Sequence, residues 1–177
     1  ESEEPTDEQR RKYAADLARR LGKGIDLPPR PRVEDIRLRE PRVRPPDSIA
    51  EFCVGDTYER ALHSHNNSHM AFRGEFPNPP DVVAHPRNEE ELERLLEWTS
   101  KHGYATIPYG GGSSSVDGFT PPEGYDGIVT VDMDQFDRVL EIDEISRAAR
   151  IQSGVFGPAL EDQLRPQGFT LRHFPQS

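Results

Sequence analysis

A chain of 177 residues and 20.0 kDa has room for one ordinary domain, or for one domain with an irregular extension, and not for two complete ones. Its 32 acidic against 22 basic side chains give a net charge of −10, which argues against nucleic acid or an anionic membrane surface as the main partner. Apolar residues make up 33% and charged residues 31%, so the core must be concentrated in part of the chain. The single cysteine, Cys53, excludes an internal disulfide, and a reducing cytoplasm is the simpler expectation. No apolar run approaches the ~20 residues of a membrane helix and no signal-peptide pattern opens the chain, so the sequence reads as soluble.

Residues 1–76 read as a helical and proline-rich extension. Thr6 with Gln9 three positions on makes a capping box, and Tyr13, Leu17 and Leu21 then recur every fourth residue up to Gly22, a stop signal. This predicts one amphipathic helix with a thin apolar stripe that needs a surface to lie against. From Leu27 to Pro46, six prolines among many arginines exclude continuous helix or sheet and predict an extended strap. Asp56 caps a second helix through Tyr58, Ala61 and Leu62. The run His63-Ser64-His65-Asn66-Asn67-Ser68-His69 that follows invites a metal site. Its spacing fits neither a helix face nor a zinc knuckle, so it is read as a polar turn and no metal is expected there.

Beyond residue 76 the pattern changes to alternating short strands and helices. Val82–Ala84 predicts a strand; Asn88 with Glu91 caps a helix whose apolar face is Leu92, Leu95, Leu96 and Thr99, ended by Gly103; Ala105–Pro108 predicts the next strand. That strand runs into Tyr109-Gly110-Gly111-Gly112-Ser113-Ser114-Ser115. Consecutive glycines admit positive φ and turn several N–H groups to one concave side, where an anion sits, and the serines add hydroxyl donors. No Gly-Lys-Ser/Thr follows, as a Walker A loop requires, and the spacing is not G-x-G-x-x-G. On composition alone a flexible Gly/Ser linker is the competing reading. Phe119–Asp126 reads as a turn-rich connection. Ile128–Val131, Val139–Ile142 and Ala148–Gln152 read as strands, Pro158–Leu164 as a helix with proline at its first position, and Thr170-Leu171 as a last short strand. The fold class expected is α+β, with a mixed sheet and flanking helices.

The order of Pro80-Asp81-Val82-Val83-Ala84-His85-Pro86, His102-Gly103, the glycine loop, Val129-Thr130-Val131-Asp132-Met133, Gly154-Val155 and His173-Phe174-Pro175-Gln176-Ser177 resembles the FAD-binding (PCMH-type) domain of the vanillyl-alcohol oxidase and p-cresol methylhydroxylase flavoproteins. The closing His-x-Pro-x-Ser is similar to the branch that holds alkyl-dihydroxyacetonephosphate synthases and FAD-linked 2-hydroxy-acid dehydrogenases. The resemblance covers residues 77–177 and implies the first part of such a domain, preceded by the extension 1–76.

It further implies FAD as cofactor, with Pro108, Tyr109, Gly110, Gly111, Gly112, Ser113 and Ser114 along the pyrophosphate. Ser113 and Ser114 are the side-chain donors, and Gln176 and Ser177 touch cofactor. His173 is the one residue with an expected part in the chemistry, as donor or acid/base near the flavin ring; the competing reading is a histidine that fills space beside Phe174. Relatives that attach flavin covalently use a histidine in or beside the loop. Serines stand there in this sequence, so non-covalent flavin is expected. Asp117 departs from the small or apolar residue commoner at its place, yet at ~10 Å from a phosphate in water the repulsion is only about 0.4 kcal/mol.

The resemblance implies a small-molecule substrate, a homo-oligomeric full-length enzyme, and further segments that complete the flavin pocket and the substrate domain. This stretch alone is therefore expected to be inactive. The activity implied first is exchange of an acyl for an alkyl group through a flavin–substrate adduct. An FAD-linked 2-hydroxy-acid dehydrogenase or oxidase is the alternative, and a non-enzymatic interaction module the third reading.

Overall fold

The computed structural model describes residues 5–27, 29, 32–64, 74–114, 116 and 118–173. Contacts divide the chain into residues 1–31 and residues 32–177, so the boundary expected at 76/77 falls inside the second unit, which takes in most of the strap. The first unit is helix α1 (Asp7–Leu21). Its capping box closes in both directions: Gln9 N donates to Thr6 Oγ1 at 3.2 Å and Thr6 N to Gln9 Oε1 at 2.7 Å. Gly22 ends it in the left-handed region, φ 62°.

The second unit opens with the strap, extended as its prolines require apart from a 3₁₀ turn at Val33–Asp35. A four-stranded mixed sheet follows, in the order β1-β2-β4-β3. Strand β1 (Cys53–Val54) is antiparallel to β2 (Val82–Ala84), while β2 and β3 (Ala105–Tyr109) each run parallel to β4 (Ile128–Asp132). Val82, Val83, Ala84, Ile128, Val129 and Val131 are all buried, as strands covered on both faces demand. One face packs Val82, Ala84, Val129 and Val131 with Val43, Ile49, Phe52 and Leu95; the other packs Ala105, Ile107 and Ile128 with Phe119. Pro108 sits within β3, the edge strand, which is where a sheet tolerates proline.

Two helices flank the sheet. Helix α2 (Thr57–Leu62) starts on Asp56, whose side chain accepts from Glu59 N. Helix α3 (Glu89–His102) starts on Asn88, which accepts from Glu91 N at 3.0 Å, and ends at Gly103, φ 67°. The Glu91 carboxylate does not return to Asn88. It accepts from the backbone and guanidinium of Arg87, and this pairing lets Glu91 sit buried in line with Leu95 and Thr99. Leu96, expected on the inner face, is 45% exposed because that line already fills the contact with the sheet.

After β4 an antiparallel hairpin, β5 (Val139–Asp143) and β6 (Ala148–Ile151), leads to helix α4 (Gly157–Leu164). Pro158 stands one position later than expected, since Gly157 opens the helix. Gln163 fastens α4 to β5: its Oε1 accepts from Val139 N and its Nε2 donates to Asp137 O. Thr170 and Leu171 form no strand. Leu171 N and the Thr170 hydroxyl donate to the two oxygens of the buried Glu161 carboxylate, at 3.0 and 2.8 Å, in place of a neighbouring strand.

Arg39 and Arg42 turn inward from the strap onto Asp81, which is wholly buried just ahead of β2. Asp81 also accepts from the backbone N–H groups of Arg42 (2.8 Å) and of Ile128 (2.9 Å), the first residue of β4. Buried Arg60 of α2 donates to Pro80 O and Arg39 O, each at 2.7 Å. Strap, helix and sheet thus share one knot.

Candidate functional site

The glycine loop springs from the carboxyl end of β3, beside the carboxyl ends of β2 and β4, where open α/β sheets bind ligands. Of its three glycines only Gly112 is left-handed, φ 63°. Gly111 is needed for closeness instead: a Cβ there would stand 2.9 Å from the Phe156 ring. A Cβ on Gly112 would run into the Tyr109 hydroxyl. The approach of Phe156 depends on Gly154, whose N–H donates to Phe136 O at 2.9 Å and whose Cα lies so close to the Met133 carbonyl that no side chain fits. Gly154 therefore brings the start of α4 to the glycine loop.

Between loop and helix lies a groove of about 720 Å³. Gly111 and Ser113 form one side, Val155, Phe156 and Leu160 an apolar wall, and Arg165 and His173 the far rim. Three residues expected at the site, Gly111, Ser113 and His173, are thus brought together, with Ser113 and His173 both exposed. Ser114 Oγ accepts from Gly118 N at 3.0 Å and so closes the loop's own turn. Gly110 is exposed beside Ser153, and Pro108 lies in β3 opposite Val131. Gln176, Ser177, Asp117 and Ser115 lie outside the described residues.

Tyr109 is only part-exposed at the root of the loop. Its ring lies 4.3 Å from that of His63 and edge-on to Phe119 at 5.1 Å. Burial raises its phenol pKa, and the negative charges of Asp132 and Glu59 raise it further. His63, expected in a polar turn, is a correction: it is 1% exposed and forms the centre of a buried cluster, while His65–His69 lie outside the described residues. Its Nδ1 is 2.8 Å from Glu59 O and its Nε2 2.8 Å from Asp132 Oδ2. Burial alone would lower the imidazole pKa, but both ring nitrogens face acceptors, chiefly Asp132, and the net shift is upward. The local signal for this centre was the i,i+4 pair of Glu59 on α2 and His63 at its C-terminal cap; its other half, Asp132, comes only with the tertiary fold.

The loop and groove fit the pyrophosphate end of a flavin nucleotide. The loop itself offers backbone N–H groups and the exposed Ser113 hydroxyl and carries no lysine or arginine, the wall beside it is apolar, and Arg165 stands on the far rim. A family model described as FAD binding domain matches residues 80–177. Alkyldihydroxyacetonephosphate synthase of Dictyostelium discoideum is 32% identical over 168 residues, 86% of this chain and 27% of that protein. A solved alkyldihydroxyacetonephosphate synthase superposes with TM-score 0.75 at 30% identity, covering 85% of this chain and 31% of that one. Glycolate oxidase subunit GlcD of Bacillus subtilis is 36% identical over 81 residues, 46% of this chain and 17% of that protein. The chain thus spans less than a third of the length of these relatives. Among the described residues no helix is long and apolar enough to cross a membrane. With the match spanning residues 80–177, from the residue before Asp81 past β2, the glycine loop and the His173 rim, the chain belongs to the FAD binding domain family, and FAD is its cofactor.

Proposed function

We propose that this chain is the FAD-pyrophosphate-binding part of a flavoenzyme of the alkyldihydroxyacetonephosphate synthase type, a transferase that exchanges an acyl for an alkyl group on a small phosphorylated substrate. The observation that carries the reading is the groove in which Gly111, Ser113 and His173 meet, within a chain similar over most of its length to such synthases. When bound, FAD supplies the reactive isoalloxazine ring. The protein's part is to hold the phosphates on the Gly110–Ser114 backbone and the Ser113 hydroxyl, to cover one side with Phe156 and Leu160, and to present His173 as proton donor or acceptor. Gln176 and Ser177 add cofactor contacts in this reading. No histidine stands in the loop, so the flavin is held non-covalently.

Residues 1–177 by themselves are inactive and bind FAD weakly in this reading. Each exposed loop hydrogen bond nets on the order of 1 kcal/mol, too little to offset the lost freedom of a large ligand. The full-length enzyme is taken as a homo-oligomer. A reducing cytoplasm suits Cys53, a half-buried thiol whose pKa burial pushes up to about 12.

The test is the full-length protein: it should be yellow, and acid denaturation should release the flavin into the supernatant. A colourless preparation that FAD cannot reconstitute would sink the reading, and flavin retained on the precipitate would overturn non-covalent attachment. A second reading, oxidation of a 2-hydroxy acid, is favoured by the identity to the glycolate oxidase subunit. It requires that glycolate or D-lactate bleach the oxidised flavin under anaerobic conditions.

A further inference from the structure

The carboxyl ends of β2 and β4 bring together side chains that the flavin groove leaves unused. His85 follows β2 directly, Asp132 closes β4, and Asp134 stands two residues beyond. One ring nitrogen of His85 and one carboxylate oxygen from each aspartate all lie within 4.8 Å of one another. Ligands ~2.0–2.2 Å from a shared ion stand about 3 to 4 Å apart, so only small side-chain rotations separate this arrangement from a coordination sphere.

The groups around these three are already set. Asp132 Oδ2 lies 2.8 Å from His63 Nε2, and Asp132 Oδ1 accepts from Asp134 N at 3.0 Å, which fixes the carboxylate. His85 Nε2 faces Glu59 Oε2 at 3.3 Å, and His85 Nδ1 faces Asp134 Oδ1 at 3.5 Å. A carboxylate on one ring nitrogen keeps the N–H there and turns the lone pair of the other toward a ligand, which is how metal-binding histidines are oriented.

A separate observation points to missing positive charge. Glu59 Oε2 is buried and has no hydrogen-bond partner among the described residues, although it lies 3.3 Å from one imidazole and 3.6 Å from the other. Glu59, Asp132 and Asp134 thus converge on His63 and His85, three carboxylates on two rings. With His63 engaged by Glu59 O and Asp132, His85 Nδ1 is the ring nitrogen left to face Asp134. One imidazole with two carboxylates is a donor set for first-row divalent ions rather than for calcium, which prefers oxygen alone.

We propose that His85, Asp132 and Asp134 bind one divalent transition-metal ion of the Mn²⁺ or Zn²⁺ class, with Glu59 and His63 as the outer groups that orient the ligands. The site clasps α2, β2 and β4. None of its three ligands belongs to the run His63–His69 or lines the flavin groove. His63 carries the Tyr109 ring, so the ion steadies the root of the glycine loop without touching FAD.

The experiment uses the flavin-loaded full-length protein, stripped with chelator and titrated at neutral pH with Mn²⁺ followed by electron paramagnetic resonance, and with Zn²⁺ by calorimetry. One ion per chain at micromolar affinity is expected. Asp134→Asn, an exposed position, should weaken it at least tenfold with flavin content unchanged, and His85→Gln should do the same. No binding at millimolar Mn²⁺ and Zn²⁺ overturns the proposal. Binding that both variants leave intact also overturns it. Flavin content is read separately, so failure here leaves the flavin assignment standing.

Discussion

Gly111 and Gly112 refuse a side chain for different reasons, and the difference is measurable. Gly112→Ala forces an L-residue into the left-handed region at roughly 1–2 kcal/mol and displaces the Tyr109 hydroxyl. Gly111→Val keeps an ordinary φ but pushes Phe156 out of the groove wall. Both should weaken FAD binding about tenfold or more in titrations of the apoprotein, and affinities within twofold of the parent would return the loop to a linker. His173→Ala in the full-length enzyme should lower turnover by about 10²- to 10⁴-fold, roughly 3 to 5 kcal/mol of barrier, with flavin content retained. Turnover per flavin within threefold of the parent would make His173 a space-filling residue.

Elements were legible where their signals are local. The Thr6 and Asp56 caps, the Gly22 and Gly103 stops and strands β2, β3 and β4 stand where side-chain chemistry and apolar patterning place them, whereas β1 (Cys53–Val54), two residues long, was not expected. Signals failed where a distant partner decides. Apolar spacing put Leu96 inside α3, but the buried line runs through Glu91, whose charge Arg87 answers, and no hydrophobicity count selects a glutamate for the core. Thr170 and Leu171 have strand-like residues, but the buried Glu161 takes their donors. The candidate site divides the same way. The loop and His173 stood out by residue type, whereas the His63 centre needed Asp132 brought up by the sheet. The cap of α3 offers a clean measurement at this scale: Asn88→Ala should cost about 1 kcal/mol, read as a lower urea midpoint at unchanged slope.

For the molecule as a whole the Asp81 knot sets the response to acid. Burial alone would raise this carboxyl, but hydrogen bonds from Arg42 and Arg39 and from the Arg42 and Ile128 N–H groups outweigh it and hold the pKa at about 2, against 3.8 for a free side chain. A depressed folded-state pKa contributes stability that is complete above the unfolded value and is lost as pH falls through the folded one. The contribution of about 2 kcal/mol should therefore disappear between about pH 4 and pH 2. Asp81→Asn should cost roughly 3 to 5 kcal/mol at neutral pH, because it leaves two guanidinium groups facing a neutral amide, and should flatten this part of the acid profile. An unchanged profile would show that the knot is not what acid breaks.

The knot also joins positions far apart in the chain, Asp81 to Arg39 across 42 residues, to Arg42 across 39 and to Ile128 across 47. Long loops must close before any of these bonds forms, so the knot belongs to the late side of the folding barrier. Its loss should consequently appear in the rate at which the native state opens and leave the refolding rate nearly unchanged. A chain held this way keeps its strap by slow escape, and the same three bonds that let acid in set how long the sheet stays closed.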